Sequence, residues 1–340
     1  MRVGVSAAKQ DSKLELNTYH RVIIPVYIPN LKEEYFEDGL EILKFCIDSL
    51  LKTIHSKTRV TIINNGCCDI VVAYLYDKYQ KEDTIDQLFH SDINLGKVNA
   101  IYGALKSNLE PLITITDADV MFLPQWQNAV EHIFEQFPKA GMVSPVPSSI
   151  AFENEMGSST IGYAILKGAL SIEKTINRKG LERFQESIGR TLYEEPHLEE
   201  IPVLRMGEKA AAIGCGHFVV TMKRSSFDNA PVRPSAHKIV GGSERRYIDK
   251  PNNDGGFLRL ATLDNYAYHL GNKVEEWMVA EKPKSKQTIK TRPLEKLHFE
   301  EKGLSKRFRI FGLIVLKLFK KNPSLKMWYF KKKGLTYDKY

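Results

Sequence analysis

Cysteines, long apolar runs and net charge on the body of the chain are all scarce in this 340-residue sequence. Only four cysteines occur, Cys46, Cys67, Cys68 and Cys215. No pair has zinc-ligand spacing with a histidine nearby, and the adjacent Cys67 and Cys68 are poorly placed for a structural disulfide. A reducing compartment is therefore expected. No run reaches the roughly 18 apolar residues a spanning helix needs. No apolar segment of signal-peptide length precedes "RVIIPVYIP", which reads as a strand, so a cytoplasmic location is expected. The formal charge of +8 suggests nucleic acid until it is located. Residues 301–340 carry twelve Lys or Arg against Glu301 and Asp338, a net +10, which leaves −2 on the other 300 residues. The cations lie in a tail and not on a domain face, so no nucleic-acid partner is expected.

What is present is the composition of an ordinary globular protein, 43% apolar and 26% charged, on a chain long enough for a sizeable core. Strand and helix signals alternate at short spacing through the first half. Strands are predicted over 21–28, 58–66, 83–90, 111–119 and 140–147, and helices over 34–54, 69–80, 96–108 and 124–137. Unbroken β-branched strands between amphipathic helices imply an α/β fold with a mostly parallel central sheet flanked by helices. From 148 to 205 the pattern is irregular, with one or two surface helices suggested by "SIEKTINRKGLERFQESIGRTL"; regularity returns over 210–227 and 254–272. Residues 280–293, rich in Pro, Lys and Thr, read as a linker.

In such sheets ligands collect at the carboxyl ends of the strands. Pro25 and Tyr27 end the first strand, where a ring can stack on a flat ligand. "NNGCCD" follows the second, with Asn64 and Asn65 as amide donors and acceptors and Gly66 for a tight turn. "NLGK" offers Asn94, Gly96 and Lys97 at a helix N-terminus, a setting that suits a phosphate. "TDAD" closes the fourth strand, and Asp117 and Asp119 repel each other unless a cation stands between them. Together the four strand ends describe a nucleotide site with a divalent metal.

The order P-x-Y, N-N-G-x-x-D, N-x-G-K and D-x-D resembles the GT-A glycosyltransferases, in particular the inverting family 2 of bacterial surface-polysaccharide type. The likeness runs from Arg21 to Asn272, with "TDAD" and "YAYHLGN" as its most specific elements. It implies a metal-dependent inverting transfer, of hexosyltransferase type, from a nucleotide diphosphate-sugar (UDP-sugar foremost) to a hydroxyl of a glycan or lipid-linked acceptor. It implies Mn²⁺ or Mg²⁺ held by Asp119, with Asp117 at the ribose or a metal-bound water and His269 completing the shell. Oxygen ligands plus one imidazole suit either ion. The sequence departs from the family at Asn64, where an aspartate usually reads the base.

Inverting transfer needs a base for the acceptor hydroxyl. Family members place an acid seven to twelve positions before a Gly-aromatic pair, here Gly256-Phe257, and both Asp249 and Glu244 fit; Asp249 is preferred. "GCGHF" resembles the family's acceptor segment, with Gly216 and His217 near the acceptor. The expected domains are a transferase domain over 1–279, with a nucleotide-sugar half at 20–147 and an acceptor half at 148–279, followed by a linker and tail at 280–340. The basic amphipathic tail, a helical element over 303–333, suits an anionic membrane surface, which would make the protein peripheral at the inner face of the cell membrane. The alternative is a helix packed on the domain with its cations in water.

Two rival enzymes fit less well. A nucleotidyltransferase would carry a Gly-rich basic loop after the first strand, which "PVYIPNLKEEYF" lacks. A haloacid-dehalogenase-type phosphatase carries its D-x-D on the first strand, not the fourth. A nucleotide-sugar-binding or scaffold protein of the same fold is the non-catalytic alternative.

Overall fold

The computed structural model describes residues 3–5, 14–239, 242–289, 291 and 299–340. Its strands are β1 (His20–Val26), β2 (Thr58–Asn65), β3 (Ile85–Ser91), β4 (Leu112–Thr116), β5 (Val120–Phe122), β6 (Ala140–Ser144), β7 (Leu170–Lys174), β8 (Glu200–Met206), β9 (Lys209–Ile213), β10 (Val219–Lys223), β11 (Leu258–Ala261) and β12 (Ala267–His269). Helices α1 (Gly39–Thr53), α2 (Asp69–Lys81), α3 (Lys97–Lys106), α4 (Trp126–Gln136), α5 (Ser158–Leu166) and α6 (Arg178–Ser187) lie among them. They are followed by α7 (Glu195–Glu199), α8 (Lys250–Asp254), α9 (Glu276–Glu281), α10 (Lys306–Lys321) and α11 (Pro323–Lys332).

Ten strands form one sheet in the order β3-β2-β1-β4-β10-β6-β11-β9-β8-β7, and β5 with β12 forms a second. Seven strands of the large sheet run one way: β1, β2, β3, β4, β6, β8 and β11. Only β10, β9 and β7 oppose them. The central strands β1, β2, β4 and β6 are buried on both faces and so read as nearly continuous apolar runs. Val22, Ile24 and Val26 of β1 pack against α1 (Leu43, Cys46, Leu50), while Ile23, between them, joins α3 (Ala100, Ile101, Ala104) on the other face. That is the two-residue period of a strand.

The irregular segment departs from expectation. The first four residues of the stretch read as surface helix, 171–174, belong to β7, paired antiparallel with β8. Ile172 is buried between polar neighbours, an alternation too short to stand out.

Residues 290, 292 and 293 of the expected linker lie outside the described residues; the part before them lies along α1. Gln287 N–H donates to Lys52 O (2.8 Å), Lys52 Nζ to Pro283 O (3.0 Å), and Lys282 pairs with Asp48. The tail is likewise docked. α10 crosses α5 where Gly312 meets Gly162, with no room for a Cβ at either position. Among the described residues no helix is long and apolar enough to cross a membrane.

Candidate active site

Strand β4 ends at Thr116 and β5 begins at Val120, so the D-A-D stands at the corner where the chain leaves one sheet for the other. The two carboxylates part there. Asp117 Oδ1 meets Lys97 Nζ at 2.5 Å, and Asp119 Oδ2 faces His269 Nε2 at 3.5 Å. Antiparallel pairing sets His269 opposite Val120, and Leu270 N–H donates to Asp119 O at 2.8 Å, which brings a residue 150 positions downstream to this corner. His269 is held by its other nitrogen: Ser187 Oγ lies 3.0 Å and Gly271 N 3.2 Å from Nδ1, leaving Nε2 towards Asp119. The two aspartates thus face different partners, Lys97 for Asp117 and the His269 ring for Asp119.

Asp119 is nevertheless incompletely satisfied. Its Oδ1 is buried with no hydrogen-bond partner among the described residues. Burial pushes its carboxyl above the usual carboxylate range, and Asp117 adds to this against the opposing pull of His269 and Lys97. A buried oxygen without a partner beside an imidazole nitrogen is a donor set that fits a divalent cation.

The corner opens on a cavity of about 780 Å³. Of the residues expected at the donor, it is lined by Pro25, Tyr27, Asn65, Asn94, Lys97 and Asp117. Asp119, His269, Gly216 and His217 line it as well. Tyr27 stands edge-on to Phe36, and Tyr35 also packs against Phe36, an aromatic rim at the end of β1. Two expectations fail. Asn64 is turned inward: its Oδ1 accepts from Cys67 N–H (2.9 Å) and its amide nitrogen lies 2.8 Å from His90 Nδ1, so it builds the turn after β2 and does not face the cavity. The phosphate cradle at 94–97 is closed as well. Lys97 N–H donates to Lys238 O, Gly96 N–H to Asn94 Oδ1 and Leu95 N–H to Asn65 Oδ1. Gly96 itself faces the 237–238 backbone at 3.0 Å, at a φ of 87° that only glycine adopts easily. Of that motif Asn94 and Lys97 line the cavity, and Gly96 does not.

The two candidate bases sit on one wide turn. Residues Arg245–Asp249 form a π-helical turn, closed by Lys250 N–H donating to Arg245 O. Glu244 and Asp249, five apart, therefore share a face. Both meet His217: Glu244 Oε2 is 3.2 Å from Nε2, and Asp249 Oδ2 is 3.6 Å from Nδ1. Glu244 also holds Lys97 (2.5 Å), and Asp249 faces Arg259 (3.3 Å), whose guanidinium is anchored on Cys215 O. A line of alternating charge runs from Asp117 through Lys97, Glu244, His217 and Asp249 to Arg259. Burial opposes charge on His217, but Asp249 and Glu244 outweigh it and push the imidazole up to about 9. Glu244, also against its burial, is held down to about 2 by His217 and Lys97. His217 forms the wall between the large cavity, which Glu244 lines, and a second cavity of about 380 Å³ lined by Asp249, Asn154, Glu155 and Arg245.

Phe184 was not foreseen at the site; it stacks on Phe218 (5.0 Å, 16°) and meets His269 edge-on. It lies in the irregular segment, whereas Phe218 could have been read from its place after His217. A second polar cluster, also unforeseen, lies at the opposite end of the strands, where His20, His55 and Glu131 converge within metal-ligand reach. It is saturated. Glu131 Oε1 is 2.8 Å from His20 Nδ1 and 3.0 Å from His55 Nε2, Tyr19 donates to Oε2, and Thr114 and Thr58 take the outer nitrogens.

The chain matches the family described as Glycosyl transferase family 2 over residues 22–194. No curated protein matches it. Among solved structures it is similar to the mannosyltransferase PcManGT from Pyrobaculum calidifontis in complex with GDP-Man and Mn²⁺ (17% identity, 62% of this chain and 46% of that one, TM-score 0.36). It is also similar to S. aureus TarS 1–349 in complex with UDP-GlcNAc (11%, 77% and 61%, 0.44) and to GalNAc-T7 with UDP, GalNAc and Mn²⁺ (13%, 74% and 44%, 0.47). The chain thus spans between 44% and 61% of the length of these structures. The family match covers half of the sequence and contains the D-A-D corner with the strands that build it; the fold is the GT-A fold, and the chain belongs to glycosyl transferase family 2.

Proposed function

We propose that the protein transfers a sugar from a nucleotide diphosphate-sugar to an acceptor hydroxyl with inversion, in a metal-dependent reaction at the D-A-D corner. The observation that carries this reading is the buried Oδ1 of Asp119, without a hydrogen-bond partner among the described residues, beside His269 Nε2 on the wall of a cavity large enough for a nucleotide-sugar. Asp119 and His269 would hold Mn²⁺ or Mg²⁺, and when bound the ion would neutralise charge on the leaving diphosphate. Lys97 pairs with Asp117 and brings a further positive charge to the same wall. The aromatic rim of Tyr27 suits stacking on the base, and Asn65 and Asn94 supply amides beside it. UDP-sugar is the donor we favour.

For the base we favour Asp249. Glu244 has both oxygens committed, to Lys97 and His217, and a carboxylate held near 2 accepts a proton poorly. Asp249 faces the second cavity, with Gly216 and His217 at the junction. We place the acceptor there and take it to be a glycan or lipid-linked hydroxyl. With this reading go the donor half at 20–147, the acceptor half at 148–279, and work in the cytoplasm at the inner face of the cell membrane.

Thermal unfolding against a panel of nucleoside diphosphates, with and without Mn²⁺, tests the donor site. A ligand at a hundred times its dissociation constant adds roughly 2.7 kcal/mol, a shift of about 2–10 °C. The expected result is a Mn²⁺-dependent shift with one nucleotide in the wild type and none in Asp119→Ala. No shift with any nucleotide would favour a scaffold role instead.

A further inference from the structure

Between Lys306 and Lys333 the tail carries ten Lys or Arg and no acid. Three of them are paired within the protein: Arg309 with Asp254, Lys326 with Glu153 and Lys331 with Asp338. The other seven have no acidic partner among the described residues. One face of α10 is spent on the body, with Phe308, Gly312, Val315 and Phe319 buried. Contact with α5 across Gly162 and Gly312 is backbone to backbone and fixes which way the helix faces. On the outward side Ile310, Ile314 and Leu318, one turn apart, are each about half exposed, with Arg307, Lys317 and Lys321 exposed around them. Trp328 on α11 is also half exposed, with Lys332 Nζ 4.2 Å over its ring. An aliphatic stripe edged with cations and flanked by an exposed Trp does not suit water, and a helix of 16 residues is too short to span.

We propose that this outward face of α10 and α11 docks in the plane of an anionic lipid bilayer, and that it turns the acceptor-side cavity to the membrane surface. The second half of the proposal follows from a groove of about 360 Å³ at the inner edge of α10. Its floor is apolar (Phe152, Leu316, Phe319) and its rim basic (Lys317, Lys320). Its wall carries Glu153, which is paired with Lys326, and Glu155, which also lines the Asp249 cavity. A headgroup held at Lys317 and Lys320 therefore lies next to the entrance of the acceptor side. This orientation rests on reading the Asp249 cavity as the acceptor side; the docking itself does not.

Flotation of the full chain with phosphatidylcholine vesicles, with and without phosphatidylglycerol, tests the docking. Partition should require phosphatidylglycerol. It should fall roughly twentyfold in Lys317→Gln/Lys321→Gln, since each cation near an anionic surface contributes about fivefold, and further in 0.5 M salt. Ile310→Ser/Ile314→Ser/Leu318→Ser should also lose it, while Lys106→Gln/Lys167→Gln, exposed elsewhere, should not. Equal flotation of the variants, no flotation of the wild type, or a dimer in solution that the triple variant dissolves would each overturn the proposal; the last would make a second copy the occupant. The two readings fail separately, because vesicle flotation is indifferent to the donor site and the nucleotide-dependent thermal shift is indifferent to these lysines.

Discussion

Two clusters of histidine and carboxylate sit at opposite ends of the same parallel strands. At the amino ends, Glu131 is enclosed by His20, His55 and Tyr19, and each ring nitrogen has a partner. At the carboxyl ends, Asp119 faces His269 with one oxygen, and its other, buried oxygen has no hydrogen-bond partner among the described residues. Residue types and spacings alone favour the first cluster as a metal site, because its three ligand atoms lie within 4.8 Å of one another. Valence reverses that choice. A saturated network has no vertex for a ligand and serves the core; an unsatisfied one costs stability and signals a ligand to come.

The contrast is broken most decisively at Asp119. Asp119→Ala should lower turnover at least about a thousandfold, the scale of several kcal/mol of lost charge stabilisation. Without metal its unfolding temperature should be no lower than that of the wild type, because burial makes this carboxylate's charge unfavourable. Activity assays and calorimetry on the same preparation check both. Near-normal turnover, or a clear loss of apo stability, would place Asp119 in the same class as Glu131.

The next effect separates the two acids of the π-helical turn. Asp249→Asn should cost about 10²–10⁴ in turnover, the range for general base catalysis, while keeping the Mn²⁺-dependent nucleotide shift. Glu244→Gln should cost less, because Glu244 stands between Lys97 and His217 and orients others. The reverse ranking would assign the proton transfer to Glu244.

How far the sequence reaches follows from the range of each signal. The alternation of β1 to β4 with α1 to α3 is written in continuous apolar runs between helical periods of about four residues, so these elements could be laid out from the sequence alone. The D-A-D drew attention because it ends such a run, and His269 only through the likeness of "YAYHLGN" to the family. Asn64 was misjudged since two adjacent asparagines look alike until the turn decides which one enters the core. The phosphate cradle at Gly96 was misjudged because the 235–239 segment that covers it comes some 140 residues later. The amino-end cluster leaves no local mark at all: His20, His55 and Glu131 lie 35 and 76 residues apart, and only the closed sheet brings them together.

That buried cluster supplies the smallest effect on chemistry and a clear one on the fold. Glu131→Gln should destabilise by about 3–5 kcal/mol, the usual cost of breaking a buried charged group away from its partners, with turnover per folded molecule unchanged. The pH dependence sharpens the assignment. His20 and His55, against the burial penalty, hold the Glu131 carboxyl down to about 2, below its ordinary 4.5. Its contribution is therefore fully present above pH 4.5 and is lost as pH falls from 4.5 towards 2. His20 is shifted down from 6.5 by burial, so the unfolded chain takes up its proton first and stability already declines below pH 6.5. Denaturant unfolding should show a wild-type acid limb in two parts, and the gap to Glu131→Gln should narrow between pH 4.5 and 2 while the His20 part persists in both. A gap unchanged at pH 3 would mean that the shape of Glu131, and not its charge, holds this end of the sheet.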